Sequence, residues 1–183
     1  ISTGNTLGER LGVKTPVTPL RFQVLRLMQI YPSSGAATCE DWLLDVANVR
    51  GADFIRRHPP RDPGFQGPCV EKLSNEDLVA AICRTDRLDR PQLLRAAAQM
   101  ISLRLVSPEM MAYVARRERI ELVLAELARQ ALKIQPPHPV WAEIASRLGN
   151  VREPRSPLVH WTRLALPIPD RRGVNAAGWK LIA

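Results

Sequence analysis

Aromatic residues, cysteines and long apolar runs are all scarce in this 183-residue chain. Aromatic side chains make up 5% of the residues and hydrophobic residues 45%, so we expect an aliphatic core of Leu, Ala, Val and Ile. No apolar run approaches the length of about 20 residues that a membrane-spanning helix needs. The first five residues, Ile-Ser-Thr-Gly-Asn, lack the basic head and apolar segment of a signal peptide. We therefore expect a soluble protein that has no membrane partner.

The three cysteines, Cys39, Cys69 and Cys83, are too few and too widely spaced for a disulfide scaffold or a paired zinc site. We interpret them as free thiols in a reducing cytoplasm. Cys83 follows the apolar run Val79-Ala-Ala-Ile and is predicted to lie in the core.

Motifs for catalysis and cofactor binding are missing too. The chain has no Gly-x-Ser-x-Gly, Ser-x-x-Lys, Walker loop or Gly-x-Gly-x-x-Gly. His58, His138 and His160 have no second ligand at metal-binding spacing, so we predict surface or capping roles for them. The pairs Glu40-Asp41 and Glu76-Asp77 fall in predicted first turns of helices, where acids favour the helix dipole. We expect no metal, no cofactor and no enzyme activity.

What the chain has in abundance is apolar residues at helical spacing, most of all between Leu73 and Gly149. The clearest stretch runs from Glu118 to Ile134, and its opposite face carries Arg119, Glu126, Arg129 and Lys133. The pattern predicts a mostly α fold, either a compact bundle or an orthogonal array of short helices.

Capping residues predict where the helices begin. Thr18 before Pro19 and Thr38 before Asp41 are typical N-caps. The remaining predicted helices follow Ser74, Asp89, Ser107 and Pro139, the one from Ser107 running to Ile134 with a kink near Arg116-Arg117, and the last one ending at Gly149.

Proline, glycine and charge divide the chain into five predicted segments. Two prolines confine Leu164–Pro169 to an extended conformation, so we expect a small hairpin or a strap that Trp161 and Trp179 hold on the helices. The segments are a flexible arm (1–17), an N-terminal helical subdomain (18–57), a Pro/Gly-rich linker (58–72), a helical core (73–149) and a basic extended segment (150–183).

The formal net charge is +8, and arginine supplies 22 of the 26 basic residues. By segment the charge is +2 for residues 1–68 (8 basic, 6 acidic), +2 for 69–150 (12 and 10) and +4 for 151–183 (6 and 2). The arginine excess is open to two interpretations, phosphate binding by planar guanidinium groups or the codon bias of a GC-rich genome.

Three places could present arginines to nucleic acid or to an acidic protein surface. The cluster Arg116-Arg117-Glu118-Arg119 could meet phosphates, or it could be a solvated face on which Arg117 pairs with Glu121. A helix-turn-helix within residues 19–57 would present Arg50, Arg56 and Arg57. The third place is the tail, with Arg152, Arg155, Arg163, Arg171, Arg172 and Lys180.

These observations favour a non-enzymatic helical interaction module, an adaptor or regulatory subunit that acts through protein–protein contacts. The first alternative is a regulator that binds DNA or RNA through an arginine-rich surface. The second is an accessory subunit of an enzyme whose active site lies on a partner.

Overall fold

The computed structural model describes residues 5–52, 62–87, 89–134 and 138–164. Within these ranges the chain forms eight α-helices and one 3₁₀ turn and contains no β-strand, which confirms the mostly α prediction. No helix in the described ranges is long and apolar enough to cross a membrane. The helices are α1 (Leu7–Leu11), α2 (Pro19–Ile30), α3 (Cys39–Val49), α4 (Asn75–Ile82), α5 (Pro91–Ser102), α6 (Pro108–Glu118), α7 (Glu121–Ala131) and α8 (Pro139–Leu148), and the 3₁₀ turn is Trp161–Arg163.

Four of the eight helices in the described ranges, α2, α3, α4 and α6, begin at the predicted caps. The Thr38 hydroxyl accepts a hydrogen bond from the Asp41 amide at 3.1 Å, and Ser74 accepts one from Asp77 at 3.0 Å. The predicted cap of α5 is wrong, because Arg90 rather than Asp89 occupies the N-cap position and makes no side-chain cap bond. Pro91 in the first turn favours the start of α5 instead, because its fixed φ suits a helix and it has no N–H to leave unbonded.

The predicted helix from Ser107 to Ile134 is in fact two helices. The chain turns at Arg119, which adopts the left-handed conformation with φ 56°, and the Ile120 amide bonds back to the Ala115 carbonyl at 2.9 Å. This is the usual way to end a helix with a left-handed residue, though glycine is the common occupant. The apolar stripe continues across the break because Ile120 is buried on the same side as α7.

The core lies among α3 to α8, with α6 and α7 packed on α8, and α5 packed on α3 and α4. Two tryptophans sit fully buried within it. Trp42 donates to the Tyr31 carbonyl and Trp141 to the Ser102 hydroxyl, both at 2.8 Å, so neither indole N–H is left without an acceptor. The predicted core position of Cys83 is confirmed.

Residues 5–13, expected within a flexible arm, are packed against the core. Thr6 and Glu9 form a reciprocal capping box for α1, and Leu7 and Leu11 are buried. The α1 backbone lies so close to the loop after α4 that a Cβ on Gly8 would be 2.9 Å from the Thr85 carbonyl oxygen.

Residues 150–164 follow α8 as loop and bends that end in the 3₁₀ turn, and their Leu158, Val159 and Leu164 are buried. Trp161 is partly buried and packs on the core, which is the contact predicted for it. The predicted hairpin after Leu164, including Trp179, lies outside the described residues.

Candidate interaction surface

Most arginines in the described part of the chain bond to the protein itself. The strongest case is Arg84, which is almost fully buried and lies 3.5 Å from the equally buried carboxylate of Glu118. It also donates to the Thr18 hydroxyl at 2.8 Å and to the Pro16 carbonyl at 3.0 Å. Arg84 therefore connects the start of α2 to the ends of α4 and α6.

The polar face of α7, which the sequence places opposite the apolar stripe, is buried only in its middle. Glu126 is buried and accepts hydrogen bonds from Arg129 at 2.7 Å and from Gln130 at 3.0 Å. Arg129 also donates to the carbonyls of Val151 and Arg152. These two side chains hold the segment after α8, whereas Arg119 and Lys133 at the two ends of the face are exposed.

The predicted cluster of residues 116–119 is divided between internal contacts and solvent. Arg116 donates to the Arg147 carbonyl at the end of α8. Arg117 forms ion pairs with Asp77 on α4 and with Glu118, the latter at 2.7 Å. The predicted pairing of Arg117 with Glu121 is therefore wrong, because Asp77 lies closer. Arg119 is exposed at the turn between α6 and α7.

The remaining predicted contact residues are scattered. Arg152 bonds to the Leu11 carbonyl at 3.0 Å, whereas Arg155 and Arg163 are exposed. The structure does not describe residues 56, 57, 171, 172 and 180, so Arg56, Arg57, Arg171, Arg172 and Lys180 stay as sequence predictions.

Arg50 does not project toward a groove as the helix-turn-helix hypothesis requires. It donates to the Asn75 side chain and to the Pro68 carbonyl, each at 3.0 Å. Burial lowers the pKa of this guanidinium. Arg50 therefore joins α3 to the segment that precedes α4.

Within the described ranges, His138 and Cys83 have structural roles. His138 caps α8 by accepting from the Val140 amide at 3.3 Å, as predicted for a capping role, and burial lowers its pKa. Burial raises the pKa of Cys83 to about 12. In the described part of the chain no three metal-ligating side chains come together.

Helix α2 buries a single narrow strip of apolar side chains. Leu20, Val24 and Leu27 face the core, and α2 touches α3 and α4. On its outer side Phe22 is 60% exposed, Leu25 40% and Ile30 53%. The ring of Phe22 is thus mostly in water, where a large apolar side chain contributes little to the stability of the fold.

The stretch of sequence that contains α2 carries charge of one sign. Residues 10–39 contain four basic side chains, Arg10, Lys14, Arg21 and Arg26, and no acid, a net charge of +4. Arg21 and Arg26 are exposed on the same outer side as Phe22 and Leu25 and have no ion-pair partner in the described ranges. We call Arg21, Phe22, Leu25, Arg26 and Gln29 the α2 outer face.

The sequence contained a signal for this face that a search for core residues passes over. The apolar stripe through Leu20, Val24 and Leu27 accounts for the packing of α2, and Phe22 and Leu25 fall off that stripe. Apolar residues left over after the core stripe is assigned are candidates for binding another molecule.

No protein-family model matches the chain, and no curated protein and no solved structure matches it either.

Proposed function

We propose that this chain is a non-enzymatic interaction module of the cytoplasm that binds another protein through the α2 outer face. The observation that carries the proposal is the exposure of Phe22 and Leu25 on a helix that the core already anchors by its other side. The free thiols of all three cysteines support a reducing compartment. A catalytic partner would make the chain an accessory subunit.

The composition of the α2 outer face supports a protein partner. Aromatic residues and arginines are the side chains that most often dominate protein–protein binding energies. Phe22 supplies the aromatic anchor, and Arg21 and Arg26 supply hydrogen-bond donors beside it. Burying the exposed part of Phe22 and Leu25 would contribute on the order of 2–4 kcal/mol before the costs of association.

The experiment places the photo-cross-linker p-benzoylphenylalanine at residue 22 of the full chain, expressed in the organism that encodes it. Tyr113 on α6 is the matched control, because its aromatic ring is 59% exposed against 60% for Phe22. We expect a specific protein adduct from position 22, identified by mass spectrometry, and none from position 113. Equal adducts from both positions, or none from position 22, would contradict the proposal.

Nucleic-acid binding is the second candidate, and the acid-free segment 10–39 is the observation that favours it. Its test is a mobility-shift titration with duplex and single-stranded DNA and RNA at several salt concentrations. Binding through phosphates weakens steeply with salt, and Lys14→Glu together with Arg26→Glu would reduce the slope by about 2. Absence of binding at low salt removes this candidate.

A further inference from the structure

We infer that the occupant of the α2 outer face is an amphipathic helix that carries acidic residues on both sides of its apolar strip. The inference rests on the proposed function and names the chemistry of the partner. It follows from the shape of the face, from the placement of its two arginines and from the charge of the other possible occupants.

The shape of the face suits a helix. Phe22, Leu25 and Gln29 are spaced three and four residues apart, so they form one ridge along α2. A ridge of this kind packs into the groove between ridges of another helix. Away from its two ends the backbone of α2 is hydrogen-bonded within the helix, so the ridge offers no continuous row of free amides and carbonyls to which an extended strand could pair.

The two arginines flank the ridge. Arg21 and Arg26 are five residues apart, which places them roughly 140° apart around the helix axis, with Phe22 and Leu25 between them. A partner helix seated on the ridge therefore has a guanidinium on each side. Carboxylates on both borders of its apolar strip would meet them.

A second copy of this chain that docks through its own α2 outer face does not provide that complement. Two α2 outer faces brought together would place arginines against arginines, with no acid within residues 10–39 of either copy. Like charges at an interface cost free energy and disfavour the pairing. The chain's own segment 165–183 is a poor occupant for the same reason, since it carries three basic residues and one acid.

A nucleic acid fits the face less well than an acidic helix does. Phosphate contacts need cations along a path that the backbone can follow, whereas here an apolar ridge occupies the centre and the cations stand at its borders. A protein helix uses both features at once, because it buries the ridge and pairs the borders.

The test starts from the segment that cross-links to position 22 and uses it as a synthetic, fluorescein-labelled peptide in anisotropy titrations with the full chain. We expect the segment to be an acidic amphipathic helix. We expect the double variant R21E/R26E to weaken binding at least about 10-fold, and higher salt to weaken binding to the unmodified chain. Replacing the peptide's acids with Lys should restore binding to R21E/R26E.

The matched control is R155E/R163E, which changes the net charge equally at exposed arginines outside α2. Equal weakening by the control, or no weakening by R21E/R26E, would overturn the inference. So would a cross-linked segment that is basic, that belongs to this chain or that is a nucleic acid. The absence of any adduct at position 22 overturns the proposed function itself, so the two failures are distinguishable.

Discussion

Arg84 and Glu118 form a buried ion pair that connects three parts of the chain. Arg84 follows α4, Glu118 ends α6, and the Thr18 hydroxyl at the start of α2 bonds to both. Such a pair is expensive to desolvate, and without Arg84 the buried Glu118 carboxylate would keep the half-exposed Arg117 as an ion-pair partner but lose its buried one.

We therefore expect Arg84→Met to lower the free energy of unfolding by about 3–5 kcal/mol. The measurement is urea denaturation followed by circular dichroism at neutral pH. The double variant R84M/E118M should be more stable than R84M, because it also removes the buried carboxylate that has lost Arg84. A loss below about 1 kcal/mol for R84M would mean that the pair behaves like an exposed one.

The cysteines should differ in reactivity. Burial raises the pKa of Cys83 to about 12 and also raises that of Cys39, whereas the Cys69 side chain is exposed. Only the thiolate reacts, so at about pH 8 iodoacetamide should modify Cys69 readily, Cys39 slowly and Cys83 only after unfolding. Mass spectrometry of the alkylated native protein gives the order, and early modification of Cys83 would contradict the buried position.

At the scale of elements, the sequence was a good guide to where helices start. Thr38 and Ser74 signal their helices because the side chain of a cap bonds to an amide three residues away, which is local information. It was a poor guide to Glu126 and Arg129, which look like an exposed polar face. The partners of Arg129 outside α7 lie more than 20 residues further along, at Val151, Arg152 and Glu153, and no local pattern encodes that distance.

The candidate site, too, could be predicted from the sequence only in part. The sequence pointed to charge clusters, and of these Arg117 and Arg152 turned out to bond within the molecule. Helical spacing sets Phe22 and Leu25 apart from the core stripe of α2, but only the structure shows that no other element covers them. Exposure depends on the packing of distant elements, so helical periodicity alone could not identify the α2 outer face.

Mutations on the two sides of α2 should differ in their effect on the stability of the fold. Leu20→Ala removes a buried side chain and should cost about 2–4 kcal/mol of stability. Phe22→Ser should change the free energy of unfolding by less than about 0.5 kcal/mol, because the ring is mostly in water. Thermal and urea denaturation compare the two variants. A large loss for Phe22→Ser would make Phe22 a structural residue and remove the anchor of the proposed interface.

At the scale of the whole molecule, Arg10 holds both ends of the described chain together. It pairs with Asp89 at 2.6 Å and donates to the Ser156 hydroxyl at 3.2 Å and to the Pro157 carbonyl at 2.7 Å. A single guanidinium thus connects α1, the loop before α5 and the segment after α8.

Arg10→Ala should therefore loosen two regions that are remote in sequence. We expect faster amide hydrogen exchange in residues 5–11 and in residues 151–158, measured by mass spectrometry, with α5 to α7 unchanged. Arg21→Ala is the control, since Arg21 is exposed and has no ion-pair partner in the described ranges. A change confined to residues 5–11 would show that Arg10 does not hold the second segment.

The placement of α1 also sets the order in which the molecule can be completed during synthesis. The helices from α4 to α7 contact near neighbours in sequence and can pack as they leave the ribosome, because local contacts form fastest. Helix α1 is synthesised before the other described helices. Its Arg10, however, donates to the hydroxyl of Ser156, which is 146 residues further along the chain. Until residue 157 has emerged, Arg10 lacks its acceptors on Ser156 and Pro157, so the site that receives α1 is incomplete. Helix α1 can therefore complete its contacts only after α8 has been synthesised.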